Sequence, residues 1–250
     1  MAMTHNENPR VIARTVRTSP VFQPRTELAG AAGLGLCAIV LTGLVWPSVG
    51  WEAVVASLAM FGLASAIAAQ RVHRSYPHDR LGFGNLTTMI RLVLTSVLVL
   101  PLLAGQDLSW AAFSIAVLAL CLDGVDGRLA RRQNLVSQFG ARFDMEVDSL
   151  FGLVLAVNAG LAGGFGPFAI LLGLPRYAFG AAALMYPWLR HDLPERRGRK
   201  AVCVLQLGTL IALQAPVLPT WLASILIVST IAGLAWSFGR DILWLRAARR

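Results

Sequence analysis

Residues 121–150 read CLDGVDGRLARRQNLVSQFGARFDMEVDSL, and this stretch decides how the rest of the chain is read. Five of the chain's thirteen acidic residues fall between Asp123 and Asp148. Successive residues on an α-helix turn by about 100°. With Asp123 at zero, Asp126 lies at roughly −60°, Ala130 at roughly −20°, Gly127 at roughly +40° and Arg131 at roughly +80°. One stripe therefore carries two acids, two small residues and an arginine. Asp144 and Asp148 form an i, i+4 pair, with Gly140 one turn earlier on the same side. Two helices joined by a short polar turn would set both carboxylate pairs face to face.

Four carboxylates at one point need a cation, because like charges a few ångströms apart repel or raise each other's pKa. A set of hard oxygen ligands suits Mg²⁺ or Mn²⁺ rather than zinc. Glycine and alanine between the acids leave room for a phosphate beside the backbone, and Arg131 can pair with phosphate oxygens. In a soluble protein, four helix acids in ordinary salt bridges would compete with this reading. Here the flanks are continuous hydrocarbon, where acids are costly and usually functional.

The composition places those flanks in a bilayer. Of 250 residues, 56% are hydrophobic and 14% charged, with mean hydropathy +0.63, the profile of a polytopic membrane protein. The net charge of +9 comes from 21 Arg and one Lys, clustered between hydrophobic runs. No basic face interleaved with aromatics is visible, which argues against nucleic acid and for membrane surface and phosphate. Cys37, Cys121 and Cys203 stand apart within apolar runs, so neither a disulfide framework nor thiolate metal spacing follows.

Read in order, residues 1–27 form a basic tail broken by Pro9, Pro20 and Pro24. Residues 28–46 and 51–69 read as a transmembrane hairpin, the first span uncleaved, in which Gly30, Gly33 and Gly35 suit close packing. A basic loop follows to residue 80, where His73 and His78 read as solvated. Six further spans are expected near 86–104, 109–131, 140–161, 167–189, 201–217 and 220–238. The fold class is thus all-α: a polytopic membrane bundle of about eight helices, a two-helix addition and a six-helix core over 81–250. Arg176 falls well inside the sixth expected span, where it could meet an acidic partner or a phosphate. Arg142 and Glu146 lie about 160° from the Asp144–Asp148 stripe, so they are expected to pair with each other or with neighbouring helices. The loop at 190–200 reads as solvated and topogenic. Basic residues mark the tails and the loops at 70–84, 131–139 and 190–200, whereas the short loops near 47–50, 105–108, 162–166 and 216–219 have none. The positive-inside rule then puts both termini and the aspartates on the cytoplasmic side of the cell's inner membrane.

The central stretch resembles the signature of the CDP-alcohol phosphatidyltransferase family, D-x-x-D-G-x-x-A-R followed, after eight residues, by G-x-x-x-D-x-x-x-D. Asp123, Asp126, Gly127, Ala130, Arg131, Gly140, Asp144 and Asp148 fill every fixed position. Upstream, Asn85, Thr88 and Arg91 resemble the family's N-x-x-T-x-x-R. Read from residues alone, Asn85 could equally be a helix N-cap and Arg91 a snorkelling cation. A proline often found five residues after that arginine is replaced by Ser96, with Pro101 later. The resemblance implies transfer of a phosphatidyl group from CDP-diacylglycerol to an alcohol, with release of CMP. It implies two metal ions, Mg²⁺ or Mn²⁺, on Asp123, Asp126, Asp144 and Asp148. Gly127, Ala130 and Arg131 would contact the CDP portion, Asn85 and Thr88 would assist, and Asp148 would accept the proton from the attacking hydroxyl. A homodimer is a further implication. Two rivals are an intramembrane prenyltransferase, whose Asp-rich motifs usually lie further apart, and a transporter, whose paired broken helices or repeated halves are not visible.

Overall fold

The computed structural model describes residues 24–46, 48–133, 135–191 and 197–248. Most of the basic N-terminal tail and part of the 190–200 loop therefore lie outside the described residues. Every regular element among the described residues is helical. The chain opens with α1 (Pro24–Val45) and α2 (Trp51–Ser75), followed by α3 (Gly82–Val97) and its short continuation α4 (Val99–Leu103). The carboxylate stretch forms α5 (Trp110–Arg132) and α6 (Gln138–Leu161). Two short helices, α7 (Pro167–Leu171) and α8 (Pro175–Met185), a 3₁₀ turn, α9 (Arg197–Ala212) and α10 (Thr220–Ala248) complete it.

Among the described residues, five stretches are long and apolar enough to cross a membrane: Pro24–Val45, Trp51–Arg74, Gly82–Leu103, Trp110–Arg132 and Thr220–Ala247. That is fewer than the eight expected, for three physical reasons. Helix α6 has the length, at 24 residues, but its first half carries Arg142, Asp144, Glu146 and Asp148. The expected continuous span over 167–189 is broken between α7 and α8. Pro175 opens the second piece, and a Cβ on Gly173 would lie 2.7 Å from the Ala156 Cβ and 2.9 Å from the Leu153 Cα, so only a glycine lets the break seat on α6. Gln206 on α9 donates to the Leu172 carbonyl at the break, 2.5 Å away. Helix α9 has 16 residues, about 24 Å at 1.5 Å per residue, against a hydrocarbon core of about 30 Å.

Helix α3 is the axis of the bundle. In its span 67% of the residues are buried, against 22–28% for the other four candidate spans. It packs against α5 through Gly84, where a Cβ would come within 3.0 Å of both the Ala130 Cβ and the Asp126 carbonyl oxygen. Its far end is interrupted only at Leu98, three residues before Pro101, whose missing N–H removes one helical bond there. Ser96, where the related motif often has proline, instead returns its hydroxyl to the Leu92 carbonyl at 2.8 Å and leaves the helix running.

The N-terminal hairpin packs on this axis. Leu28, Ile39, Phe61, Ala68 and Val72 share one buried apolar cluster with Leu81, Met89, Leu92 and Phe139. Ser57 donates to the Ser96 carbonyl at 2.6 Å, and the Trp46 indole donates to Gln106 at 2.8 Å. Of the three glycines expected to pack closely, only Gly35 does so: a Cβ there would meet Val93 at 2.8 Å, whereas Gly30 and Gly33 have open space. A second cluster joins α5, α6, α9 and α10 through Ala116, Phe151, Leu155, Leu210 and Leu234. Within it Thr209 and Thr230 share a hydroxyl hydrogen bond of 2.9 Å.

Candidate metal and nucleotide site

The two helices that carry the aspartates begin with matching caps. Ser109 accepts from the Ala112 N–H at 3.2 Å to start α5, and Ser137 accepts from the Gly140 N–H at 3.0 Å to start α6. Each hydroxyl satisfies an amide that the first turn leaves without a helical partner. Helices α5 and α6 both pack on α3, at Gly84 and at Asn85, and this brings their aspartates together. Ligand atoms of Asp123, Asp126 and Asp144 then lie within 4.8 Å of one another. The helical stripes read from spacing do face each other.

At their centre is Arg91, with a side chain only 3% exposed. Its guanidinium pairs with Asp123 Oδ1 at 2.8 Å, Asp126 Oδ2 at 2.8 Å and Asp144 Oδ1 at 2.5 Å, and also with Asp148 Oδ1. A snorkelling role for Arg91 is thereby overturned: its charge points into the bundle. The four aspartates are not equivalent. The Asp126 side chain is 7% exposed, while those of Asp123, Asp144 and Asp148 are 33–37% exposed. Asp126 is held against α3, where Thr88 Oγ1 donates to its Oδ2 at 3.4 Å. Its other oxygen accepts from the Gly127 N–H at 2.6 Å. The remaining three border a space that solvent can reach.

The donors fit a hard divalent cation. All are carboxylate oxygens, those of Asp123, Asp126 and Asp144 converge within 4.8 Å while Asp148 joins through Arg91, and four carboxylates face a single guanidinium, so negative charge is left over for a further cation.

The motif's small residues do different things. Ala130 packs on Gly84 across the α3–α5 contact. Gly127 leaves room for the Arg131 guanidinium, which would lie 3.3 Å from a Cβ at that position. Gly140 leaves room for Asn85, whose Oδ1 would be 3.0 Å from a Cβ there. Asn85 is buried; its Nδ2 donates to the Leu81 carbonyl at 2.6 Å and to the Tyr76 hydroxyl at 3.2 Å, so it does not act as the N-cap of α3. Thr88 also returns a bond to the Gly84 carbonyl at 3.2 Å.

Outside this centre, Arg176 meets the acidic partner that its sequence context allowed: it donates to Glu146 Oε1 at 3.0 Å. Glu146 thus pairs with a neighbouring helix, away from the aspartates. Of the two histidines expected in a loop from residue 70, His73 instead stands exposed in the last turn of α2, which continues to Ser75, while His78 lies 3.2 Å from the Val136 carbonyl oxygen and edge-on to Tyr76. Arg199, at the end of the 190–200 segment, pairs with the buried Asp241 of α10 at 3.1 Å, so this part of the segment is docked rather than free in solvent. Tyr76 and Glu27 went unremarked in the sequence, and nothing in their local spacing distinguishes them.

A group of converging carboxylates in an all-helical bundle with five candidate membrane spans is the pattern of a polytopic membrane protein with a site that could hold a metal ion. The chain belongs to the CDP-alcohol phosphatidyltransferase family, whose sequence pattern matches residues 81–236. Relatives described as "Putative cardiolipin synthase" from Mycobacterium bovis and Mycobacterium tuberculosis are 32% identical over 106 residues. That similarity covers 42% of this chain and 50% of each relative, so the chain spans about half the length of the curated relatives it matches. No solved structure matches the chain.

Proposed function

We propose that the protein transfers a phosphatidyl group from CDP-diacylglycerol to an alcohol and releases CMP. The observation that carries this reading is the convergence of Asp123, Asp126, Asp144 and Asp148 from α5 and α6 in a chain of this family. These four residues would hold Mg²⁺ or Mn²⁺, two ions by the family's pattern. Bound there, the ions supply charge neutralisation for the diphosphate and polarisation of the phosphorus under attack. Asp126, the most enclosed of the four, fixes the geometry from the α3 side. Asp148 accepts the proton of the attacking hydroxyl as its oxygen closes on phosphorus, with CMP as the leaving group. Arg131, exposed beside Gly127, offers a planar donor to phosphate oxygens, and the buried Asn85 and Thr88 assist from α3. The remaining contribution is positioning and electrostatic stabilisation of an in-line displacement.

The topology that goes with this reading has eight membrane segments, with α6, the broken α7–α8 pair and α9 crossing or entering the bilayer under cover of the five apolar spans. The break is tolerated there because Leu172 and Gly173 are buried against the bundle, and the Asp144 and Asp148 carboxylates because they turn to Arg91, while Glu146 is paired with Arg176. Both termini and the aspartates face the cytoplasm, and two copies associate as a dimer. Among acceptors, the name of the mycobacterial relatives favours a lipid alcohol over a soluble one. The test is purified protein with CDP-diacylglycerol and Mg²⁺ or Mn²⁺, offered phosphatidylglycerol, glycerol 3-phosphate, phosphorylated inositol, serine and an amino alcohol in turn. CMP release matched to one new phospholipid identifies the acceptor; no metal-dependent CMP release with any of them would refute the reaction.

A further inference from the structure

The connection between the hairpin and the family-matched region is fixed from several directions. The Tyr76 hydroxyl donates toward the carbonyl oxygens of Arg80 and Leu81, each at 2.9 Å, and accepts from Asn85 Nδ2 at 3.2 Å. Asn85 Nδ2 also donates to the Leu81 carbonyl at 2.6 Å. The Leu81 N–H in turn donates to Glu27 Oε2 at 2.8 Å, which brings in the first turn of α1. The Tyr76 ring stands edge-on to Phe139 at the start of α6, with centroids 5.5 Å apart.

An asparagine amide has two N–H donors and one acceptor oxygen. Both donors of Asn85 are taken, one by the Tyr76 hydroxyl at the end of the hairpin and one by the Leu81 carbonyl that caps α3. Its Oδ1 is therefore turned to α6, into the space that Gly140 leaves by lacking a Cβ. A flipped amide would present N–H groups there instead. The Tyr76 hydroxyl and the Leu81 carbonyl are what forbid the flip, and Glu27 holds the Leu81 residue in place. Both Glu27 and Tyr76 precede residue 81, where the family match begins.

We infer that the N-terminal hairpin is a working part of the nucleotide site: Tyr76 and Glu27 are positioning residues that fix Asn85 Oδ1 as an acceptor for a hydrogen-bond donor of the CDP moiety, a ribose hydroxyl or the cytosine amine. This rests on the proposed reading of Asn85 as a nucleotide-side residue. It gives the hairpin a role that membrane anchoring alone would not.

The test is a double-mutant cycle read as KM for CDP-diacylglycerol and kcat in detergent–lipid mixed micelles with Mg²⁺. Tyr76→Phe is expected to raise KM about 3- to 10-fold, the range of one neutral hydrogen bond, with kcat within about 2-fold of the parent. Asn85→Ala raises KM at least as much, and the double variant Tyr76→Phe/Asn85→Ala is no worse than Asn85→Ala alone, since coupled residues are not additive. Glu27→Ala raises KM less, and its effect also vanishes in the Asn85→Ala background. A thermal unfolding midpoint unchanged in Tyr76→Phe separates orientation from general loosening. If Asn85→Ala leaves KM unchanged, the nucleotide role of Asn85 falls and this inference falls with it. If Asn85→Ala raises KM but Tyr76→Phe does not, or if the two effects add, only the inference is overturned. A Tyr76→Phe that lowers kcat and melting temperature without moving KM likewise reduces Tyr76 to scaffold.

Discussion

Helix α6 carries three acidic side chains within five residues, and its two faces use them in opposite ways. Asp144 and Asp148 turn inward to a buried arginine and to two further aspartates on α5. Glu146 turns outward, where it and Arg176 form a one-to-one pair with side chains 50% and 39% exposed. Carboxylate chemistry is the same on both faces; what differs is the company and the access. Four carboxylates around one guanidinium remain short of cation, and that shortage leaves a place for a metal ion. One carboxylate beside one guanidinium is balanced, and balance leaves it structural.

That contrast breaks most readily at the metal. Removing divalent cations with excess chelator is expected to take CMP release to the uncatalysed background, and readdition of Mg²⁺ or Mn²⁺ to restore it. Full turnover in chelator would put the two faces of α6 on the same footing.

Next in size is the separation of Asp148 from the other inward acids. Asp148→Asn keeps the shape and one oxygen ligand but removes the proton acceptor. Single-turnover CMP release should fall by about 10²- to 10⁴-fold, the usual worth of a general base, with CDP-diacylglycerol affinity close to the parent. Asp126→Asn should instead weaken metal and nucleotide binding together, because the buried Asp126 side chain bonds both Thr88 and Arg91 of α3. Rescue of Asp148→Asn to the parent rate by added metal would make Asp148 a ligand only.

A smaller effect is expected where α3 meets α5. Gly84→Ala places a methyl group within 3.0 Å of the Ala130 Cβ and of a backbone oxygen, which cannot swing away as a side-chain end could. Overpacking of this kind costs about 1–3 kcal/mol and would appear as a lowered unfolding midpoint. An unchanged midpoint would mean that the two helices are not in close register at Gly84. The outward face should give the smallest response. Glu146→Gln is expected to cost at most about 1 kcal/mol of stability and to leave the single-turnover rate within about 2-fold. Collapse of metal affinity in Glu146→Gln, with folding intact, would erase the distinction between the faces.

Much of the site was legible because its information is local. Asp123 and Asp126 share a stripe for the same reason that Asp144 and Asp148 do: a helix repeats every 3.6 residues whatever surrounds it. The outward turn of Glu146 follows from the same periodicity. The span count was less legible. Hydropathy finds runs of apolar residues, but over 167–189 it does not register that Gly173 and Pro175 break the run against α6. The glycines of α1 carry a similar lesson, since Gly35 packs on Val93 while Gly30 and Gly33, equally permissive, face open space.

The sequence by itself determined that this is a helical membrane protein, that four aspartates occupy two helix faces at fixed spacing, and that their chemistry calls for hard cations. Those properties depend on composition and on separations of three or four residues, where backbone geometry leaves no freedom. The tertiary structure alone decided that Arg91, 32 to 57 positions away from the aspartates it meets, sits among all four of them. It alone decided that Glu27 reaches Leu81 and that Tyr76 meets Asn85. Such contacts are set by which helices pack together and how deep each lies, and in this bundle the burial of α3 at the centre brings its Arg91 to the aspartates and its Asn85 to the hairpin.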